Sequence, residues 1–205
     1  MLQKGAFMNL ENLNIDLIKS YGKMIEYKSG EIIFSEGDLC DKLGLVIEGE
    51  AKIITYTYQD KEEIINNIKK GDLFGQFVLF SKHNNYVGTC IALRKTKVIF
   101  LTKTNFFKLS KADDSFLSKY LEEISEISYN LKQQVKLFAH KNIRDRIMFY
   151  IKIYNEKEIV KFKSITDLAN ILNIPRPSLS RELIKMQNEG IISYTNHYIR
   201  YERKR

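Results

Sequence analysis

A stretch of about 80 residues in the first half of the chain has the hydrophobic pattern of a β-rich domain. Between residues 27 and 107, short apolar and β-branched runs alternate with turn residues, and glycines fall between or beside the runs. This pattern predicts a β-sandwich, jelly roll or barrel, which can enclose a small ligand. Residues 1–28 are predicted to be helical in part, on an apolar stripe of Leu10, Leu13, Leu17 and Ile18. The predicted strands are 31–34, 42–47, 51–58, 63–68, 72–74, 89–93 and 97–102.

A seven-residue repeat follows in residues 113–140 and predicts one long helix. Apolar positions alternate in steps of four and three, with Ser128 as the one polar position. A spacing of 3.5 residues favours a partner helix, most simply the same helix of a second subunit. Packing against the helix's own domain is the alternative. The apolar positions of this seam are Leu117, Leu121, Ile124, Leu131, Val135 and Phe138.

Residues 164–192 change spacing again and predict two short helices joined by a tight turn. Ser164, with Asp167 three residues on, suits the N-cap of the first helix, and Asn173 suits its end. Pro177 suits the first position of the second helix, which makes Arg176 its expected N-cap. The predicted buried face of the second helix consists of Leu179, Leu183, Ile184 and Met186.

This arrangement is the pattern of a helix-turn-helix, whose second helix enters the DNA major groove. Arginine pairs with guanine through two donors, and serines reach bases or phosphates. The runs 191–194 and 198–201 predict the two strands of a wing. An αα-hairpin that only packs is the alternative. The candidate DNA contacts on the second helix are Arg176, Ser178, Ser180, Arg181 and Lys185.

The charge distribution supports the DNA-binding interpretation. The chain has a net charge of +8, and residues 141–205 hold 14 Lys and Arg against 7 Asp and Glu, so +7 of it lies there. A basic segment around a helix-turn-helix is the electrostatic pattern of a DNA-binding domain. No apolar run approaches the ~18 residues of a membrane span, and we expect no membrane association. Two cysteines without a CxxC motif favour a reduced, cytoplasmic protein without a zinc site.

The chain resembles the Crp/Fnr superfamily, the cyclic-AMP receptor and fumarate-nitrate regulator type, over residues 20–203. The motifs are GEIIFSEGD at 30–38, IEG at 47–49, GDLFGQ at 71–76 and the helix-turn-helix itself. The resemblance implies an α+β chain with a β-roll (jelly-roll) effector domain at 1–112, a dimerisation helix at 113–140 and a winged helix-turn-helix at 141–205. It also implies a homodimer on a palindromic site, with Thr166 as a phosphate contact.

The chain departs from the family pattern at both of its candidate sites. Pro177 stands where the family often has a Glu that accepts from cytosine, so the preferred half-site is expected to differ. In the sensor half, cyclic-nucleotide binders have Gly-Glu and, about ten residues later, Arg-Ser. Here those places hold Gly75-Gln76 and Tyr86-Val87, which offer no cation for a phosphate. The predicted effector pocket comprises Gly75, Gln76, Tyr86, Val87, Ser128 and Leu131, and its effector is not expected to be cyclic AMP.

The sequence therefore predicts a transcription regulator that binds double-stranded DNA and an unidentified small-molecule effector. The 155–161 loop is a candidate contact for RNA polymerase. A ligand-binding module whose winged domain contacts another protein is the alternative. An enzyme is not indicated, because no nucleophile or acid–base group is recognisable. An iron–sulfur sensor uses four cysteines, so cofactors remain open, with His83, Cys40 and Cys90 as unassigned sensing candidates.

Overall fold

The computed structural model describes residues 8–9, 14–154 and 159–202. They form two compact units, one ending at Ile127 and one beginning at Ser128. The first contains a β-roll and the second a winged helix-turn-helix, which confirms the predicted α+β fold class. The finer division into 1–112, 113–140 and 141–205 stays a prediction. Leu10, Leu13 and the first part of the 155–161 loop lie outside the described residues.

The first unit is built from two antiparallel sheets. The five-stranded sheet has the order β1-β7-β4-β9-β2, and the four-stranded sheet has the order β3-β8-β5-β6. The strands are β1 (Met8–Asn9), β2 (Lys23–Tyr27), β3 (Ile32–Phe34), β4 (Lys42–Glu48), β5 (Glu50–Tyr56), β6 (Glu62–Lys69), β7 (Asp72–Phe74), β8 (Thr89–Ala92) and β9 (Thr96–Thr102). The helices are α1 (Ile15–Tyr21), α2 (Gln76–Leu79), α3 (Lys103–Ala112) and α4 (Asp114–Ala139), which continues into the second unit.

Each of the seven predicted strands is present, and α1, which contains Leu17 and Ile18, confirms that the segment 1–28 is helical in part. Strand β2 in the same segment was not predicted, and it pairs with β9 from Lys23 opposite Phe100 to Tyr27 opposite Thr96. That partner lies about 70 residues away, so local spacing does not reveal it. The β-rich stretch also ends earlier than predicted. The Thr102 side chain accepts a hydrogen bond from the Asn105 N–H (3.2 Å) and caps α3.

The β4–β5 turn is tied to the start of β9. The buried Thr96 hydroxyl accepts from the Glu50 N–H (3.1 Å) and donates to a backbone carbonyl of the neighbouring turns. Gly49, with φ +93°, lies directly against this contact, and a Cβ there would stand 2.6 Å from Thr96 Cα and overlap the Lys95 carbonyl. The turn therefore needs glycine both for its backbone conformation and for its lack of a side chain.

The second unit packs three helices against a small sheet. The strands follow the order β10-β12-β11, and β11 and β12 form the predicted wing. The core includes Leu168, Leu172 and Ile199, each fully buried. The elements are α5 (Ile143–Tyr154), β10 (Ile159–Lys161), α6 (Ile165–Leu172), α7 (Arg176–Asn188), β11 (Ile192–Tyr194) and β12 (Tyr198–Tyr201).

The ends of α6 and α7 lie where the sequence predicts them, except at the start of α7. Ser164 caps α6 by accepting from the Asp167 N–H (3.1 Å), and Asn173 ends it at φ +51°. Arg176 was predicted to be the N-cap of α7, but it is the first helical residue. The Pro175 carbonyl instead accepts the first helical bonds, from the N–H groups of Ser178 (2.9 Å) and Leu179 (3.0 Å). Pro177 is consequently the second residue of the helix. Its missing N–H costs nothing there, because the first N–H groups of a helix have no acceptor within the helix.

The buried face predicted for α7 is correct except at Ile184. Leu179, Leu183 and Met186 are fully buried, whereas Ile184 is 51% exposed. At 100° per residue, Ile184 lies about 40° from Ser180 and about 100° from Leu183 on the helix surface. It therefore belongs to the outward face of α7.

We predict that Gly49→Ala destabilises the protein more than Gly30→Ala does. Both glycines have positive φ, but no atom lies within 4 Å of a Cβ at Gly30. Gly30→Ala is expected to lower the unfolding free energy by about 1 kcal/mol for the left-handed conformation alone. Gly49→Ala adds a backbone overlap, expected to cost about 1–3 kcal/mol more. Urea unfolding of the two variants measures the difference, and equal losses would show that the close approach at Gly49 has no energetic weight.

Candidate DNA-binding surface and effector cavity

The outward face of α7 carries the side chains predicted to contact DNA. Arg176, Arg181 and Lys185 are exposed, and Ser178 and Ser180 are half-buried. The Arg181 Nε donates to the Pro177 carbonyl (3.4 Å), which directs its guanidinium along the first turn of the helix. Because the apolar residues of α7 point into the core, these polar groups face away from it.

The remaining predicted contact and the wing lie in the same unit. Thr166 is exposed in the first turn of α6. In the turn between β11 and β12, the His197 Nδ1 lies 2.8 Å from the Lys163 carbonyl, just before α6 begins. The wing turn is thus joined directly to the segment that leads into the helix-turn-helix.

Arg144 links α5 to α7. The sequence analysis did not predict this role of Arg144. Its Nε donates to Glu182 (2.7 Å), and its two Nη atoms donate to Glu189 (2.7 and 3.0 Å). These hydrogen bonds and the two carboxylate charges raise the pKa of Arg144, so the guanidinium remains charged. One planar group therefore contacts α7 at two points seven residues apart. The partners lie 38 and 45 residues along the chain, beyond the reach of any local pattern.

Arg146, two residues further on, holds the turn of the helix-turn-helix. One Nη donates to the carbonyls of Leu172 (3.1 Å) and Asn173 (3.2 Å), at the end of α6. The other donates to the His140 carbonyl (2.9 Å), just after α4. Carbonyls at a helix end lack partners within their helix, so a cation suits this place. Arg146 therefore connects the end of α4 to the turn that precedes the recognition helix.

In the β-roll, four of the six predicted effector residues line one cavity of about 150 Å³. Phe34 and Tyr86 stack with ring centroids 3.8 Å apart, and Phe74 lies 5.4 Å from Phe34. We call this space the effector cavity. Its lining residues are Phe34, Ile53, Ile65, Asn66, Phe74, Gly75, Gln76, Phe77, Val78, Tyr86, Val87 and Gly88.

Among the described residues, no charged side chain lines the effector cavity. The polar side chains in this lining are the amides of Asn66 and Gln76 and the phenol of Tyr86. The Tyr86 hydroxyl donates towards the Lys42 carbonyl (3.5 Å), and burial raises the pKa of Tyr86 far above its usual value, so it stays neutral. Neutral amides and a phenol do not offer the paired charge that a buried phosphate needs. The other two predicted pocket residues, Ser128 and Leu131, are exposed positions of α4 in the second unit.

The predicted seam of α4 is divided between buried and exposed positions. Leu117 and Ile124 are half-buried against the core of the β-roll. The other four apolar seam positions expose large side chains on the single chain, and Arg146 lies over the Phe138 ring at 5.9 Å. These exposed positions are Leu121, Leu131, Val135 and Phe138.

The cysteines and the loop histidine have the surroundings of structural residues. Cys40 and Cys90 are buried and free, and burial raises the pKa of Cys90 to about 12 and that of Cys40 in the same direction. A raised pKa keeps both thiols protonated and unreactive at neutral pH. His83 is exposed, with its backbone N–H on the Ser81 hydroxyl. Within the described residues, no group of three metal-ligating side chains is assembled.

The comparisons with known proteins agree with this architecture. Residues 24–113 match the cyclic nucleotide-binding domain family. The chain is 21% identical over 188 residues to a cyclic AMP receptor protein of Thermus thermophilus, covering 91% of this chain and 87% of that one. It is 23% identical over 201 residues to electron transport regulator A of Shewanella oneidensis, covering 91% and 79%. A structure of CprK complexed with OCPA has a TM-score of 0.64 at 13% identity, covering 99% and 96%.

The β-roll and the winged helix-turn-helix together give this chain the fold of these solved structures, as the resemblance of its sequence to the Crp/Fnr superfamily implied. Within the part of the chain that the structure describes, no helix combines the length and apolar character required to cross a membrane.

We predict that Arg144→Met loosens the recognition helix, because Glu182 and Glu189 then lose their shared cation. The expected result is a lower denaturation midpoint for the winged unit and faster amide exchange along α7. Arg200→Met, at an exposed position of β12, is the matched control and should leave both properties unchanged. Arg144→Lys should recover only part of the loss, because Lys cannot donate in the planar fork. Exchange rates in α7 equal to those of the unsubstituted protein would refute the clamp.

Proposed function

We propose that this protein is a homodimeric transcription regulator that binds a palindromic DNA site through its winged helix-turn-helix. The observation that carries the proposal is the outward face of α7, where Arg176, Arg181 and Lys185 project from a helix whose apolar side is fully buried. The segment 141–205, with its net +7, supplies the charge for phosphate contacts. The relatives found are receptors and regulators by name, which supports regulation rather than catalysis.

Sequence preference follows from the side chains at the start of α7 and on its outward face. Arg176 and Arg181 suit guanine, while Ser178, Ser180, Thr166 and Lys185 suit phosphates or mixed contacts. Pro177 removes the carboxylate that selects cytosine in much of the family. Ile184 is exposed and lies between Ser180 and Arg181 around the helix axis. It suits an apolar contact with a thymine methyl group. The expected half-site therefore contains guanine and thymine and differs from those of family members with Glu at position 177.

Dimerisation is proposed through the exposed seam of α4. Leu131, Val135 and Phe138 recur every three to four residues and are exposed on the single chain. Such a stripe is favourable only when a second helix covers it. The same seam on a second subunit would supply that helix and bring two recognition helices to one site.

The β-roll is proposed as the effector domain, with RNA polymerase as a further contact at the 155–161 loop. Its effector is not cyclic AMP, because the effector cavity contains no cation for the cyclic phosphate. Both cysteines are buried and protonated, which argues against a thiol switch as the input. A cytoplasmic location, expected from the cysteine content, belongs to the same proposal.

One observation favours a second function, in which the winged unit contacts a protein. Ile184 is a large apolar residue on the outward face, and such residues are common in protein interfaces. A protein-binding surface would show no steep dependence of DNA affinity on salt. Phosphate contacts, in contrast, make the logarithm of the DNA affinity fall linearly with the logarithm of salt concentration.

We predict that Arg176→Ala and Arg181→Ala each weaken specific DNA binding by about 1–3 kcal/mol, through loss of base or phosphate contacts. Titration against a labelled duplex enriched by the unsubstituted protein measures the change. Arg94→Ala is the matched control, because Arg94 pairs with Glu50 in the β-roll unit and should leave DNA affinity unaltered. Unchanged DNA affinity in both α7 variants would show that this helix does not contact the DNA bases.

We also predict that cyclic AMP does not bind with micromolar affinity. Its phosphate would have to be buried among neutral side chains, which is strongly unfavourable. Isothermal titration calorimetry with the full chain tests this prediction. The same preparation must bind DNA, which shows that an absence of heat with cyclic AMP is not caused by misfolding. A saturable micromolar signal would contradict the assignment of the effector site.

A further inference from the structure

We propose that the effector cavity binds a small, uncharged, apolar molecule of about the size of one aromatic ring. This deepens the proposed function by naming the class of effector, and it rests on that function only in calling the molecule an effector. Size, charge and shape of the lining each support it independently.

The size of the effector cavity selects small molecules. Its volume is about 150 Å³. Pockets for drug-sized ligands and cofactors occupy about 300–1,000 Å³, so a nucleotide is too large for the cavity as it stands. Apolar protein cavities of about 150 Å³ stay dry and accept benzene. One ring with a short substituent therefore matches the available space.

The lining selects uncharged molecules with a flat apolar face. Three of the lining rings, from Phe34, Phe74 and Tyr86, pack against one another, and Ile53 and Ile65 are among the aliphatic residues of the lining. Aromatic partners gain from such ring contacts beyond simple burial. A charged ligand would lose its water without gaining a partner of opposite charge.

The backbone of β5, β6 and Gly88 determines which side chains line the effector cavity. The register between β5 and β6 shifts, so that Ile53 pairs with Asn66 and Ile54 with Ile64, which leaves Ile65 without a cross-strand partner. Bulges of this kind redirect a side chain, and Ile65 lines the effector cavity whereas Ile64 does not. Gly88 has no Cβ, and adding one would place it 2.9 Å from Ile53 Cγ2 and 3.1 Å from Ile65 Cδ1. Val87 lines the effector cavity and is also 74% exposed, so we assign the mouth of the cavity to this position.

The test uses toluene and benzoate, which share one ring and differ in charge, with the full-length protein. Methyl NMR follows the Ile53 and Ile65 signals during each titration. We expect saturable shifts with toluene below its solubility limit, and binding of benzoate that is more than about 100-fold weaker because the lining holds no cation. No saturable shift with toluene, or benzoate binding as tightly as toluene, would overturn the inference.

Matched variants locate the binding site. Ile65→Phe fills the effector cavity and should weaken toluene binding by about tenfold or more, whereas Ile64→Phe, the same change at the neighbouring residue, should not. Val87→Phe narrows the mouth at an exposed position and serves as the second blocking variant if Ile65→Phe fails to fold. Toluene affinity that is unchanged in the blocking variants would place its site elsewhere and refute the assignment.

The effector role is read separately from binding. Toluene should change the DNA affinity of the unsubstituted protein and of Ile64→Phe by the same factor, and leave Ile65→Phe unaffected. Unchanged DNA affinity with toluene bound would refute the effector role. Absence of DNA binding under all conditions would instead refute the proposed regulator, while the NMR titration would still decide whether the cavity takes apolar rings.

Discussion

The arrangement of the winged unit depends on complete burial of the apolar side of the recognition helix. Leu179, Leu183 and Met186 have no exposed surface, and they meet the equally buried Leu168 and Leu172 of α6. A helix held along one side by close-packed apolar contacts has one orientation available. Its polar residues must then face outward, whatever their own preferences. The two arginines of α5 reinforce this orientation, since Arg144 binds Glu182 and Glu189 in the second half and at the end of α7, and Arg146 contacts the turn before it.

The interior of the β-roll is packed differently. Here the apolar side chains leave a space instead of filling it, and the polar side chains in its lining, Asn66, Gln76 and Tyr86, are neutral. The domain matches the cyclic nucleotide-binding family, but among the described residues no charged side chain lines its cavity. Fold and ligand preference are separable in general, because the sheets need only an apolar interior, whereas a ligand is selected by the few side chains that line its site.

Local patterns predicted most of the elements, and the errors have two causes. Ser164, Asn173 and the wing strands were predictable because caps, left-handed residues and strand pairs act over a few positions. Strand β2 depends on β9, and the Arg144 clamp on glutamates about 40 residues away, so neither has a local signature. Ile184 was misassigned because apolar character was counted without its angle on the helix. Gly75, Gln76, Tyr86 and Val87, which line the effector cavity, were predicted as pocket residues from departures from a family motif, whereas Phe34 and Ile65 were recognised as lining residues only once strands β3 and β6 were placed.

Selection of binding sites from a random duplex pool, with the purified protein and no added ligand, tests the central claim most directly. It makes no assumption about the operator, and it examines the recognition helix and the dimer seam together. The account predicts enrichment of an inverted repeat whose half-site centres lie about one helical turn apart, with guanine and thymine in each half-site. Recovery of single, unpaired half-sites would contradict the dimer. If no sequence is enriched either without ligand or with toluene present, the claim that this surface reads DNA is wrong.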